Sequence, residues 1–140
     1  MKITELAKFL GCGQDEISET EYGTYTFGNE EYLVLTPAEA EIEVNKRILD
    51  DIWAFRAQWL IRHIKGYNKL SQDQEKALVE AIEMLQEKLC ESANPILTAM
   101  INNIDIFTAD AIDADGRGHF LASYDGEEVE AGEFFIYRLN

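Results

Sequence analysis

Hydrophobic residues near the start of the chain recur with the spacing of a short amphipathic helix. Ile3, Leu6 and Leu10 share one helical face, and two glycines lie just after them. The pattern then becomes that of β-strands over Tyr22–Phe27 and Tyr32–Leu35, with a Gly-Asn turn signal between the two runs. This part of the sequence therefore predicts a short helix followed by a β-hairpin.

Three longer helical patterns fill the centre of the chain. The first begins at a capping box formed by Thr36 and Glu39, and we expect it to continue to Lys65. Its apolar stripes lie on two sides, which predicts a central position in the fold. The second helix begins at the capping box Ser71–Gln74, and the third begins at Asn94.

The C-terminal part of the chain returns to strand patterns. Gly116 and Gly118 are expected to end the third helix. Phe120–Tyr124 and Phe134–Tyr137 predict two strands, joined by the acidic loop Asp125–Glu133. Because helices and strands occupy separate parts of the sequence, we expect an α+β fold. Its small antiparallel sheet, built from two hairpins, is expected to pack on the three longer helices plus the short N-terminal helix.

Length and composition indicate one folded domain over residues 1–140. No apolar run approaches the ~20 residues that span a bilayer, and the N-terminus lacks a signal-peptide pattern. We therefore expect a cytoplasmic protein without membrane association. Cys12 and Cys90 lie far apart in the sequence, which predicts two reduced, buried thiols.

The net charge of −15 is unevenly distributed. Nine acidic residues and no Lys or Arg lie between Phe9 and Asn45, and nine acids accompany two Arg after residue 100. Plain solubility explains such a composition. The same field opposes direct nucleic-acid binding and suits a protein partner with a basic groove. The predicted partner-binding surface comprises Asp15, Glu16, Glu19, Glu21, Glu30, Glu31, Glu39, Glu41, Glu43, Asp125, Glu127, Glu128, Glu130 and Glu133.

The C-terminal segment also holds the strongest candidate for a ligand site. Arg117, His119, Tyr124 and Asp125 lie close together in the sequence and could line a pocket for a small molecule. A helix end and a structural histidine explain the same residues. The segment lacks the spacing of a phosphate-binding loop and the first and last acids of a calcium loop. We therefore expect no catalytic residue, no metal site and no cofactor.

The stretch Ile52–Gln72 carries four cationic residues and no acid, interleaved with aromatic residues that include Trp53 and Trp59. Such interleaving is compatible with stacking the bases of a single nucleic-acid strand. The apolar stripes instead favour a buried helix whose long cationic side chains reach the surface. A homomeric interface around the two tryptophans, with a homodimer as its simplest form, is a further alternative.

A family resemblance rests on five stretches: Tyr32–Thr36, Trp53–Phe55, Cys90–Asn94, Asp115–Glu128 and Phe135–Arg138. They resemble small, acidic, uncharacterised proteins of tailed bacteriophages and prophages. The resemblance covers roughly residues 32–140 and is most specific in Asp115–Glu128. It implies the cytoplasm of an infected bacterium and brings no catalytic residues.

Charge and resemblance together predict a phage accessory factor that binds a host protein. By analogy with acidic phage proteins as a class, the target is a defence nuclease, and the factor is an anti-CRISPR or anti-restriction inhibitor occupying a nucleic-acid groove. Two alternatives stay open. One is a small-ligand module or minor enzyme centred on the Gly-Arg-Gly-His segment, and the other is a structural or regulatory homo-oligomer.

Overall fold

The computed structural model describes residues 1–140 and combines helices with a five-stranded antiparallel sheet. The predicted α+β class is confirmed. Two compact units are present: the sheet unit, Met1–Arg47 with Ala114–Asn140, and the helical unit, Ile48–Asp113. A single domain over the whole chain stays a prediction.

The α-helices have these bounds: α1 Lys2–Leu10, α2 Pro37–Asp50, α3 Ala57–Ile61, α4 Gln72–Leu89, α5 Asn94–Met100, α6 Ile104–Asp115 and α7 Arg117–Leu121. Short 3-10 turns lie at Gln14–Glu16, Ile52–Ala54, Tyr67–Lys69 and Cys90–Ala93. The strands are β1 Ser18–Glu19, β2 Tyr25–Phe27, β3 Glu30–Leu35, β4 Val129–Ala131 and β5 Phe134–Arg138. No helix combines the length and the apolar character that crossing a membrane requires.

The sheet has the strand order β1-β2-β3-β5-β4, with every neighbouring pair antiparallel. Strands β2 and β3 form the predicted hairpin, and β4 and β5 form a second one. The two hairpins join through β3 and β5, where Val34 lies opposite Ile136. The predicted union of two hairpins in one sheet is therefore confirmed, and β1 extends it by one short edge strand.

The core of the sheet unit lies between α1 and one face of the sheet. Leu6 of α1 is fully buried together with Tyr32, Val34 and Ile136, which point to the same sheet face. Burying one aliphatic side chain of this size stabilises a fold by ~1.5–3 kcal/mol. The helix ends at Gly11, whose φ of 68° is the left-handed conformation expected after a helix.

Two local signals for helix starts are confirmed. The Thr36 hydroxyl accepts from the Glu39 N–H, and the Glu39 carboxylate accepts from the Thr36 N–H. Ser71 and Gln74 exchange the same pair of bonds at the start of α4. Each box closes within four residues, so its geometry depends little on the rest of the molecule.

The expected helix from Pro37 to Lys65 is wrong, because α2 ends at Asp50. The side chain of Asn94 satisfies the backbone at this end: its Nδ2 donates to the Asp50 carbonyl at 2.6 Å, and its Oδ1 accepts from the Trp53 N–H at 2.9 Å. Gln86 donates to the carbonyl of Phe55. Partners distant in sequence thus support a turn that no local glycine or proline marks.

The expected third long helix is also wrong in extent, because it breaks between α5 and α6. Ile101 forms an antiparallel bridge with Ile64, and the Asn102 N–H donates to the His63 carbonyl at 2.7 Å. The Asn103 side chain then caps α6 by accepting from the Ile106 N–H at 3.1 Å. The Asn-Asn pair was a local cap signal that a longer apolar stripe concealed.

The expected strand Phe120–Tyr124 is wrong, because Phe120 and Leu121 belong to α7 and Ala122–Tyr124 form no strand. Gly116, with a φ of 83°, separates α6 from α7, whereas Gly118 lies inside α7 and does not end a helix. A Cβ atom at Gly118 would overlap the carbonyl oxygen of Gly126, so the glycine allows close packing on the next loop. The second hairpin uses β4 in its place, inside the expected Asp125–Glu133 loop.

Both cysteines are free thiols, but the expectation that both are buried is wrong. Cys12 is half-buried and Cys90 is exposed.

Candidate functional site

All fourteen acidic residues predicted to bind a partner belong to the sheet unit. This unit carries sixteen acidic and six basic residues, a net charge of −10, whereas the helical unit carries eleven and six. The acidic surface predicted from sequence is therefore confined to one compact unit.

Half of these carboxylates form hydrogen bonds or ion pairs within the chain and so stabilise the fold. Glu128 receives two hydrogen bonds from Arg117, at 2.8 and 3.2 Å, and a third from the Tyr137 hydroxyl. Glu30 pairs with Arg138 at 3.3 Å and accepts from the Tyr32 hydroxyl. The other five bind neighbouring backbone or side-chain groups: Glu16, Glu31, Glu39, Glu43 and Asp125.

The buried tyrosines show how these acids act on their neighbours. Burial, aided by the hydrogen bond to Glu30, raises the pKa of Tyr32 to about 12. Burial and the hydrogen bond to Glu128 also raise the pKa of Tyr137. Both hydroxyls therefore stay protonated and donate to a carboxylate, and sequence reasoning missed this role for both tyrosines.

The other seven carboxylates are exposed and form no hydrogen bond or ion pair with the chain. Two lie in or beside β1 and one lies in the 3-10 turn that precedes it, while three lie in or beside β4; β1 and β4 are the two edge strands of the sheet. We name them the β1-edge group and the β4-edge group, and Glu41 on α2 is the seventh. The members of the two groups are Asp15, Glu19 and Glu21, and Glu127, Glu130 and Glu133.

The sheet separates these two groups. Four strand spacings lie between β1 and β4, which is ~19 Å at the usual spacing between neighbouring strands. Charged side chains on an edge strand discourage pairing with other strands. They also present unneutralised negative charge where a basic surface could approach.

The four residues of the predicted ligand site are not brought into one cluster. Arg117 is held by Glu128, and its guanidinium lies 4.6 Å from the ring centre of Phe135. The Tyr124 ring is covered by Arg138 at 3.8 Å. Arg117 and Arg138 thus each form an ion pair with a glutamate, Glu128 and Glu30 respectively.

The remaining two members of that site also have separate surroundings. His119 is exposed on α7, where its ring contacts Phe120. Asp125 accepts from the Glu127 N–H at 3.0 Å and so closes a turn. No hydrogen bond, ion pair or ring contact joins Arg117, His119, Tyr124 and Asp125 to one another, and a ligand site there stays a prediction.

The tryptophans of the proposed homomeric interface lie half-buried in the helical unit. Trp59 packs against Phe55, His63 and Phe107, with ring centres 4.7 to 5.4 Å apart. Its ring is thus part of an internal aromatic cluster. A homomeric interface stays a prediction.

No group of three or more His, Cys, Asp or Glu residues is arranged to hold a metal ion. Comparison with protein-family models, with curated proteins and with solved structures gave no match.

Proposed function

We propose that this chain is a phage-encoded accessory factor that inhibits a host defence nuclease by binding its basic nucleic-acid-binding surface. The observation that supports this best is the set of seven exposed carboxylates that form no hydrogen bond or ion pair with the chain. A groove that binds phosphates offers Lys and Arg side chains, and carboxylates form charge-assisted hydrogen bonds with both. The resemblance of Asp115–Glu128 to phage proteins supports the origin, and the kind of target follows by analogy.

The spacing of the two edge groups favours contact through one edge at a time. The grooves of B-DNA are about 6 and 12 Å wide, which is less than the ~19 Å between β1 and β4. The two groups together therefore do not reproduce the phosphates across one groove. We expect one group to contact the nuclease and the other to contribute long-range attraction.

The test is inhibition of DNA cleavage by purified restriction and CRISPR nucleases in the presence of this protein. Two triple variants remove three charges from one edge each: Asp15→Asn, Glu19→Gln and Glu21→Gln, or Glu127→Gln, Glu130→Gln and Glu133→Gln. The matched control removes three unpaired, exposed charges from α4: Glu80→Gln, Glu83→Gln and Glu87→Gln.

We expect one edge variant to inhibit at least about tenfold more weakly, because several charge-assisted bonds are lost, while the control inhibits normally. Inhibition should also weaken as salt is raised. Equal losses of inhibition in all three variants would show that the net charge of the protein, and not one edge of the sheet, causes the inhibition. No inhibition of either nuclease class would reject the anti-defence role.

A further inference from the structure

The helical unit contains a pocket that is rich in cations, in a chain where acids outnumber bases by 27 to 12. Its volume is about 320 Å³. No Asp or Glu lines it. The polar side chains of the lining are Arg62, His63, Asn68, Lys69, Asn102 and Asn103.

Backbone pairing between two segments builds this pocket. The Lys65 N–H donates to the Met100 carbonyl at 3.1 Å, and the Asn102 N–H donates to the His63 carbonyl. Gly66, with a φ of 79°, then turns the chain into the 3-10 turn Tyr67–Lys69. Residues 62–69 are thus held beside the start of α6, whose N-terminus adds a partial positive charge.

The two cations of the lining are available to a ligand. Neither Arg62 nor Lys69 forms an ion pair or a side-chain hydrogen bond, and both are exposed. Asn103 uses its Oδ1 to cap α6, which leaves its amide nitrogen as a donor. A guanidinium fork, an ammonium group and amide donors together match the oxygens of an anion.

The nearby carboxylates contact lining residues without entering the lining. Asp110 Oδ2 lies 3.6 Å from His63 Nε2, and Glu75 accepts from the Tyr67 hydroxyl at 3.3 Å. Both acids therefore have partners of their own. Asp105 lies in the first turn of α6 and is exposed to solvent.

The pocket also has an apolar wall. Tyr67 and Ile106 contribute to the lining, and Ile106 is 54% exposed although it is a large aliphatic residue. An aromatic ring and an aliphatic side chain beside cations are typical of sites that hold the organic part and the charged part of one ligand.

We propose that this pocket binds a small organic phosphate, with Arg62 and Lys69 holding the phosphoryl group and with Tyr67 and Ile106 contacting the organic part. Donors that approach from several residues suit the tetrahedral oxygens of a phosphoryl group. The volume is at the lower end of the range for small-molecule sites, which limits the ligand to about the size of a mononucleotide. This activity is separate from the proposed binding of a nuclease, because it uses the helical unit and cationic residues.

The test is an NMR titration of the intact protein with inorganic phosphate, adenosine 5′-monophosphate and adenosine. We expect both phosphates to shift the backbone amide signals of Lys69, Asn102 and Asn103, the nucleotide to bind more tightly than phosphate, and adenosine alone to bind much more weakly. Arg62→Gln should weaken nucleotide binding about tenfold, since one charge-assisted contact is lost.

Arg56→Gln is the matched control, because Arg56 is an exposed arginine of the same acid-free stretch that does not line the pocket. Its affinity should stay within about twofold of the unchanged protein. An equal loss in both variants would indicate general charge attraction and overturn the site. The site would also be overturned if no localised amide shifts appear or if adenosine alone gives equal shifts. If the nucleotide binds no more tightly than inorganic phosphate, the proposed contacts of Tyr67 and Ile106 with the organic part of the ligand would be rejected.

Discussion

Individual residues of the sheet unit divide between those that hold the fold and those that face solvent. Glu128 is bound by Arg117 and Tyr137, whereas Glu127, its neighbour in sequence, has no side-chain partner. Composition does not distinguish the two, because both are glutamates in one acidic run. Substitution of the first should change stability, and substitution of the second should change binding.

The pH dependence of stability tests whether Glu39 is one of the carboxylates that stabilise the fold. The hydrogen bond from the Thr36 N–H lowers the pKa of Glu39, with smaller contributions from Lys2. A lowered pKa stabilises the folded state above the unfolded pKa of ~4.3, and this contribution is lost as pH falls through the folded pKa. Because Glu39 is 46% exposed, Glu39→Gln should cost only ~0.5 kcal/mol at neutral pH.

Urea denaturation of both proteins at a series of pH values measures this effect. The difference between them should shrink as the pH falls below about 4. A difference that persists undiminished at about pH 2.5 would show that the carboxylate charge is not its cause.

Gly118 offers a test of packing at a single position. Gly118→Ala would place a Cβ against the carbonyl oxygen of Gly126, and overpacking of this kind costs ~2 kcal/mol. Gly13→Ala is the control, since its new Cβ would meet only the movable side chains of Asp15 and Glu16. Thermal unfolding should show a clear loss for the first and a change within ~0.5 kcal/mol for the second. Equal changes would indicate that α7 can shift away from the loop.

At the scale of elements, two of the helices end where residues distant in sequence satisfy their backbone. The apolar stripes continue past Asp50 and past Met100, yet α2 and α5 end at these residues. Asn94 supports the first end, and pairing between His63 and Asn102 supports the second. An unpaired buried backbone group costs ~1–3 kcal/mol, so the bond from the partly buried Trp53 N–H to Asn94 stabilises the turn after α2.

Asn94→Ala tests this account of the α2 end. The change removes the partners of the Asp50 carbonyl and the Trp53 N–H, and we expect a loss of ~2 kcal/mol in the free energy of unfolding. Asn68→Ala is the control, because that exposed side chain has no hydrogen bond. Urea denaturation followed by circular dichroism measures both. A loss below ~0.5 kcal/mol for Asn94→Ala would mean that water replaces its bonds.

At the scale of the whole molecule, charge is the dominant feature. The chain contains 27 acidic residues and 12 Lys and Arg residues, and five ion pairs of Lys or Arg involve only part of them. The sheet unit carries twice the net negative charge of the helical unit, −10 against −5. Repulsion among unpaired carboxylates therefore opposes folding, and screening by salt should relieve it.

Salt dependence tests this repulsion. Between about 0.01 and 0.15 M salt the Debye length falls from ~30 to ~8 Å, and we expect the melting temperature to rise by ~3–5 °C. The triple variant of the β4-edge group should melt higher at low salt and show a smaller rise. Calorimetric scans at several salt concentrations measure both quantities. A melting temperature that falls with salt would show that attractive ion pairs outweigh the repulsion.

The sequence patterns correctly predicted the structural features that depend on only a few neighbouring residues. The capping boxes of Thr36 and Ser71, the helix end at Gly11 and the β2–β3 hairpin all follow from short-range bonds or from glycine conformations. The same patterns failed over Phe120–Tyr124, where five apolar and polar residues fit a strand or a helix equally well. Instead α7 includes Phe120 and Leu121, and Gly118 of this helix packs closely against the later residue Gly126, a contact that the local pattern does not contain.

The sequence by itself determined the α+β class, the joined hairpins and the acidic character, because periodicity and charge are properties of the chain before it folds. The tertiary structure decided which carboxylates stay unpaired, where the long helices break and which cations meet in one pocket. These outcomes depend on residues far apart in sequence, such as Arg62 and Asn102 or Asn94 and Asp50. No local pattern encodes a contact of that kind, since it exists only after the chain has brought the partners together.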